Sequence, residues 1–173
     1  MLLKSPKNKS INILVVCLGN TCRSPAGEYL LRHYSKNSAS QHISQGNFES
    51  AGIHPVSYGM ANYTKDYLEM QGIEPNHFQN QQIPYDPLDD FDYILVMEEY
   101  MKEDILSRYY SHLKINDPKK YKEKEEKIIL YSQAAGEDGN IEDPYSMSRE
   151  KYFQILSQID NYAKLIIARL NSN

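Results

Sequence analysis

Cysteine is scarce in this chain: two in 173 residues, too few for a disulfide framework. Both fall in one stretch as Cys17-x4-Cys22, with no further cysteine or histidine at zinc-binding spacing. A disulfide across so short a loop would remove little entropy from the unfolded chain, so the pair reads as thiols with a chemical task. No metal or other cofactor is expected. No apolar stretch approaches the roughly 18 residues that span a bilayer. The lysines of residues 1–10 are not followed by the apolar core of a secretory signal. A cytoplasmic location with no membrane partner is therefore expected. An excess of basic charge is also lacking: the formal net charge is −4, which argues against nucleic acid as a partner. No repeat, linker or low-complexity tract divides the chain. One domain is expected over residues 1–173, with 1–10 as a flexible N-terminal extension.

What is present is an alternation of strand and helix patterns. Residues 11–16 form a short, almost wholly apolar run, which suits a strand buried on both faces. Ser24-Pro25 then opens a helix, with proline in its first turn and Glu28 soon after. A polar loop is expected over 35–45 and a second strand over 48–52. A helix over 60–71 is stopped by Gly72. Residues 91–97 read as the third strand and 98–109 as the helix behind it. The mixed-charge run 117–127 reads as a solvated helix turn or loop. A fourth strand is expected over 128–131. Tyr152, Ile155, Leu156, Ile159, Ala163, Ile166 and Leu170 recur at helical spacing across 147–170. The prediction is an α/β domain of three layers, a four-stranded parallel sheet with helices on both faces. Ligands of such sheets sit outside the C-terminal ends of the strands, where the loop after the first strand lies.

That loop, Cys17-Leu18-Gly19-Asn20-Thr21-Cys22-Arg23-Ser24, has the composition of an anion cradle. Gly19 and Asn20 tolerate left-handed backbone angles, so the chain can curl with its N–H groups inward. The start of the next helix adds to this nest. Arg23 offers a planar fork for two phosphate oxygens. Cys17 would lie at the base, where dipoles and the guanidinium favour a thiolate, and Ser24 can donate a hydrogen bond to the sulfur. A thiolate beneath a bound phosphate points to attack on phosphorus and a thiophosphate intermediate.

The stretch Val16 to Pro25 closely resembles the signature of the low-molecular-weight protein tyrosine phosphatases, which also lies near the N-terminus. Ser50-Ala51-Gly52, residues 91–97 and Glu142-Asp143-Pro144-Tyr145 follow as landmarks in the same order. The resemblance implies the four-stranded parallel fold of that family. It implies hydrolysis of phosphotyrosine in protein substrates through a cysteinyl-phosphate, with inorganic phosphate or other oxyanions as inhibitors. Cys17 would be the nucleophile and Arg23 the phosphate ligand, with Leu18, Gly19, Asn20, Thr21, Cys22 and Ser24 completing the loop.

The chain has three Asp-Pro pairs, at Asp86, Asp117 and Asp143. Asp86 is expected in the turn before the third strand and Asp117 in an ordinary turn. Only Asp143 matches the family's Asp-Pro-Tyr acid loop, which makes it the general acid and then base, with Tyr145 flanking the substrate ring. The resemblance also implies that Ser50 and His77 hold Asn20, although Phe78-Gln79-Asn80-Gln81 follows where the family has Ala-Arg-Gln. It places Val56 and Tyr58 near the aromatic wall, and makes Cys22 a redox guard of the nucleophile.

Other functions stay open beside this one. Thr21 stands where relatives resembling arginine phosphatases carry threonine, so phosphoarginine is an alternative substrate. A redox-switched phosphate-binding module without turnover is a second alternative, though it has no need of an acid at Asp143. Arsenate reductases of this fold need further cysteines for their disulfide relay, and residues 23–173 contain none.

Overall fold

Strand β1, Asn12–Cys17, is buried from its second residue to its end, which explains a run of apolar residues in place of alternation. The computed structural model describes residues 3, 9–56, 58–84 and 88–172. After β1 come α1 (Arg23–Ser35), α2 (Gln41–Ser44), β2 (Asn47–Gly52) and α3 (Asn62–Met70). A 3₁₀ turn at Leu88–Asp90 leads into β3 (Tyr93–Val96), followed by α4 (Glu99–Tyr110), α5 (Leu113–Asn116) and α6 (Pro118–Lys127). Strand β4 (Ile128–Leu130), α7 (Tyr131–Ala135) and α8 (Arg149–Asn171) complete the order.

All neighbouring strands pair in parallel, in the order β2-β1-β3-β4. The expected four-stranded α/β architecture is therefore present. From β1 the chain steps to one side through α1 to β2, and from β3 to the other side through α4 to β4. Right-handed crossovers put α1 and α4 on opposite faces of the sheet. The order reverses between β1 and β3, so the crevice beyond their C-terminal ends is the switch point where such folds hold ligands.

Helix α8 carries the predicted stripe: Tyr152, Ile155, Leu156, Ile159, Ala163, Ile166 and Leu170 are all buried. It packs along α1, with α3 and α7 also against it. Gly27 lets α1 lie close to the sheet, since a Cβ there would meet Val15 and Tyr131 at 3.1 Å. A polar clasp joins the same helices. The buried Asp160 of α8 accepts hydrogen bonds from Tyr34 (2.6 Å) and Tyr67 (3.1 Å) and pairs with Lys164 at 3.2 Å. Burial and the Asp160 carboxylate push the Tyr67 hydroxyl up to about 12.

Three local expectations are corrected. The stretch 35–45 is not wholly loop, because α2 forms within it and buries Ile43. The charge run is a full helix, α6, with Pro118 in its first turn and Asp117 as its N-cap, accepting from the Lys120 amide at 3.0 Å. Its Lys124 is buried against Asp89 at 2.6 Å, so one face of a highly charged helix still docks. The expected fourth strand stops at Leu130, and Tyr131 instead opens α7, fully buried. Asp86 lies outside the described residues. Of residues 1–10, Leu3 is buried in the core and Lys9 pairs with Asp92 at 2.8 Å.

Replacing Asp117 by alanine should remove the α6 cap and lower unfolding free energy by about 1 kcal/mol. Urea denaturation measures this, and an unchanged midpoint would show that the cap contributes nothing.

Candidate active site

Cys17 is the last residue of β1 and is buried. Beside it, Gly52 ends β2 and faces Cys17 in the register. The segment that follows Gly52 runs along the loop and binds its carbonyls from outside. The amides of Ile53, His54, Val56 and Ala61 donate to the carbonyls of Cys17, Leu18, Gly19 and Thr21 at 2.9–3.3 Å. The Asn20 carbonyl accepts from the side-chain amide of Asn80. In a trans peptide the N–H points opposite to the C=O. Outward carbonyls from Cys17 to Thr21 therefore turn the N–H groups of Leu18 to Cys22 inward, into a nest that suits an oxyanion. The Cys17 sulfur lies within it, accepting from the Asn20 amide at 3.3 Å and the Ser24 hydroxyl at 3.0 Å.

Asn20 makes the curl possible. Its φ is 53°, it is fully buried, and its side chain is saturated. Nδ2 donates to Ser24 Oγ (3.0 Å) and Ser50 Oγ (2.9 Å), while Oδ1 accepts from the Gln81 amide (2.9 Å). Ser50 thus supports Asn20, but His77 does not. His77 is exposed, at φ 61°, and the place expected for it beside Asn20 is filled by Asn80 and Gln81. Gly52 holds Gln81 through an amide-to-carbonyl bond of 2.9 Å, which pulls residues 80–81 against the loop instead. Ser50 passes the chain of bonds on to Glu28 Oε2 at 2.6 Å, and Glu28 pairs with Arg32 at 2.7 Å.

Arg23 opens α1 with only 1% of its surface exposed. Its Nη1 donates to Glu98 Oε1 (2.6 Å) and to the Ile141 carbonyl (2.7 Å), and its Nη2 to Asp143 Oδ2 (2.7 Å). Burial alone would lower the Arg23 pKa, but the charges of Cys17, Asp143 and Glu98 outweigh it and raise it. Glu98, which follows β3 at the switch point, was not picked out from the sequence. Its place just past a C-terminal strand end is the signal that could have found it. The segment 140–143 is tied to that strand end. Ile141 N donates to Met97 O at 2.9 Å and Glu99 N to Asn140 Oδ1 at 2.9 Å. Two distant stretches, at residue 98 and at 141–143, thus converge on the buried cation of Arg23.

The rim is more open. Tyr145 is 81% exposed, with its amide donating to Asp143 Oδ1 at 3.1 Å. Val56 lies against Gly19, its Cγ2 3.7 Å from where a Cβ on that glycine would stand. Tyr58 is 88% exposed and Leu18 is also exposed. Tyr100 of α4 is a further rim aromatic; burial and then Glu98 raise its hydroxyl pKa. Thr21 Oγ1 lies 3.4 Å from Cys22 Sγ. Burial pushes the Cys22 thiol up, against hydrogen bonds from Thr21 and Tyr152.

The model of the low molecular weight phosphotyrosine protein phosphatase family matches residues 12–173. The chain is 26% identical over 182 residues to the low molecular weight phosphotyrosine protein phosphatase of Saccharomyces cerevisiae, covering 98% of this chain and 99% of that one. Vibrio vulnificus Wzb, solved in complex with benzylphosphonate, superposes with a TM-score of 0.74 at 25% identity, over 92% of this chain and 99% of that one. YwlE arginine phosphatase from Geobacillus stearothermophilus does so with a TM-score of 0.75 at 25% identity, over 94% of each chain.

The support chain carries a pH signature. Burial pushes the Glu28 carboxyl above its ordinary value, more than the Ser50 bond and Arg32 pull it down. The folded state then keeps a proton that the unfolded state has lost, so this group's stabilisation falls as pH rises through the raised value. The unfolding free energy of the wild type relative to Glu28→Gln should therefore decline as pH rises from the ordinary carboxylate value through the raised one. Chemical denaturation across that range tests it; a flat difference would show that Glu28 titrates alike in both states.

Proposed function

The chain belongs to the low molecular weight phosphotyrosine protein phosphatase family, and from that membership we propose how its residues divide the reaction. It is a hydrolase of phosphotyrosine. In the first step the Cys17 sulfur attacks phosphorus, an S–P bond forms, and the bond from phosphorus to the tyrosyl oxygen breaks. Asp143 gives its proton to that leaving oxygen. In the second step Asp143 takes a proton from water while the water oxygen attacks phosphorus. The S–P bond breaks, and the Ser24 hydroxyl stabilises the departing thiolate. Inorganic phosphate is the product.

The observation that carries this reading is the 2.7 Å pair between Arg23 Nη2 and Asp143 Oδ2. It supports the acid role for Asp143, whose carboxylate lies against the guanidinium that closes the Cys17 loop. Glu98 and the Ile141 carbonyl hold Nη1, which fixes the guanidinium plane and leaves Nε and Nη2 for phosphoryl oxygens. An arriving phosphoryl monoanion takes the place of the Asp143 carboxylate on Nη2, and its proton passes to that carboxylate, which then faces the leaving oxygen. Inward N–H groups stabilise the charge that builds on the equatorial oxygens. The exposed Tyr58, Tyr100 and Tyr145 suit an aryl leaving group.

Thr21 supports phosphoarginine as a second reading, since its hydroxyl lies in the phosphate loop and one solved relative is named an arginine phosphatase. Rates on phosphotyrosyl, phosphoseryl and phosphoarginyl substrates decide between the two. Substrates would be phosphoproteins, with inorganic phosphate and other oxyanions as competitors. Both cysteines are free thiols, which suits a reducing cytoplasm. No helix among the described residues is long and apolar enough to cross a membrane.

Wild-type protein should hydrolyse p-nitrophenyl phosphate without added metal, and Cys17→Ser should not; turnover by that variant would refute the nucleophile. Asp143→Asn should slow hydrolysis of a phosphotyrosyl peptide by about 10²–10⁴-fold. A near-unchanged rate would remove Asp143 from the acid role. Peroxide should oxidise Cys17 to a sulfenic acid, which condenses with the Cys22 thiol to a disulfide and water. Dithiothreitol should then restore more activity to the wild type than to Cys22→Ser, and equal recovery would deny Cys22 a protective role.

A further inference from the structure

Five consecutive carbonyls, from Cys17 to Thr21, are anchored on the outside of the cradle, and one of them differs from the rest. Cys17, Leu18, Gly19 and Thr21 are all held by backbone amides of the segment that follows β2. The Asn20 carbonyl falls opposite the part of that segment that turns away, where Tyr58 is 88% exposed and Gly59 has φ 75°. Its donor comes from another part of the chain, the side chain of Asn80.

The Asn80 carboxamide is fully committed. Nδ2 donates to the carbonyls of Asn20 and Gly59, the latter at 3.3 Å, and Oδ1 accepts from the Gly59 amide at 2.6 Å. One planar group thus ties the left-handed residue of the phosphate loop to the rim segment that carries Val56 and Tyr58. Asn80 is held in turn by its neighbour. Gln81 bonds Asn20 Oδ1 through its amide, Gly52 N through its carbonyl and Ser50 O through its side chain.

We propose that Asn80 is a positioning residue of the phosphate cradle: it fixes the Asn20–Thr21 peptide plane, aims the Thr21 N–H at the bound oxyanion, and locks that plane to the rim through Gly59. The reason is geometric. The orientation of the Thr21 N–H is set by the Asn20 C=O on the other side of the same peptide. Asn20 has a positive φ, so without a partner for its carbonyl nothing on the outer side opposes rotation of that plane. The Asn20 side chain is anchored independently by Ser24, Ser50 and Gln81, and would stay in place. Loss of Asn80 therefore misdirects one donor of the nest and loosens the rim while leaving the curl itself. This rests on the phosphatase reading of the cradle.

The test uses Asn80→Leu, which keeps the shape and removes all three bonds, and Asn80→Ala, with exposed Gln79→Ala as a control. Equilibrium titration with inorganic phosphate should give a Kd about tenfold weaker in both Asn80 variants, the worth of one charge-assisted hydrogen bond. The control should match the wild type. The kcat/KM for p-nitrophenyl phosphate should fall at least as far, through kcat as well as KM, because the transition state uses the same donor. A merely structural Asn80 would lower the melting temperature and leave the phosphate Kd of the folded protein unchanged. Kd values within about twofold of wild type in both variants would overturn the proposal, whatever the melting temperature does. Should Asn80→Ala fail to fold, the shape-matched Asn80→Leu decides alone. The titration needs no turnover. An inactive wild type that binds phosphate would defeat the hydrolase reading, and an active one with unaltered variants would defeat the Asn80 role.

Discussion

A trans peptide cannot show its N–H and its C=O on the same side, and the cradle depends on that constraint. To aim a run of amides at an anion, the chain must find donors for the carbonyls on the other side. The parallel register of β1 and β2 supplies them. Because Cys17 pairs with Gly52, the segment leaving β2 starts alongside the loop leaving β1 and follows it. Gly52 has no room for a side chain, since a Cβ would stand 2.9 Å from the Leu18 carbonyl and 3.1 Å from the Asn20 amide. A slip of one residue between these strands would move every anchor and invert the faces of the strand.

Charge is the second constraint. A guanidinium as buried as that of Arg23 is tolerable only with partners, and two carboxylates and a carbonyl supply them. The partners are unequal in burial. Glu98 is the better shielded, with 24% of its side chain exposed against 39% for Asp143. This asymmetry suits a fixed orienting partner and one that can let go. The same cation therefore serves structure through Nη1 and, on the proposed route, chemistry through Nη2.

Much of this was legible in the sequence where the signal is local. Uniformly apolar strands, the long stripe of α8 and the Cys17-to-Ser24 loop each carry their meaning within a few residues. Asp143 could be told from Asp86 and Asp117 only through resemblance, because Asp-Pro alone marks turns and helix starts equally well. Asp117 shows this, as it caps α6. What escaped depends on distant partners. Nothing near Glu98 announces that a buried arginine 75 residues earlier will need it. The replacement of His77 by Asn80 and Gln81 is likewise a matter of how residues 76–83 lie on Gly52. Helix α6 was read as solvated because its pattern is charged almost all round; it docks through Tyr121, which packs against the core, and a buried lysine that finds Asp89.

The topology also sets an order of assembly. The Cys17-to-Ser24 loop is synthesised before the groups that hold Arg23, at residues 98, 141 and 143, and before the helix that packs along α1, which begins at Arg149. A nascent chain emerging from the ribosome carries its thiol long before any of these exist. The guanidinium lacks its partners until residues 98–143 have left the exit tunnel, and the α1 face that α8 covers stays bare until that helix follows. A chain made from its N-terminus therefore gathers the partners of this cation from segments that follow it by 75 residues or more, and closes α8 over α1 after them.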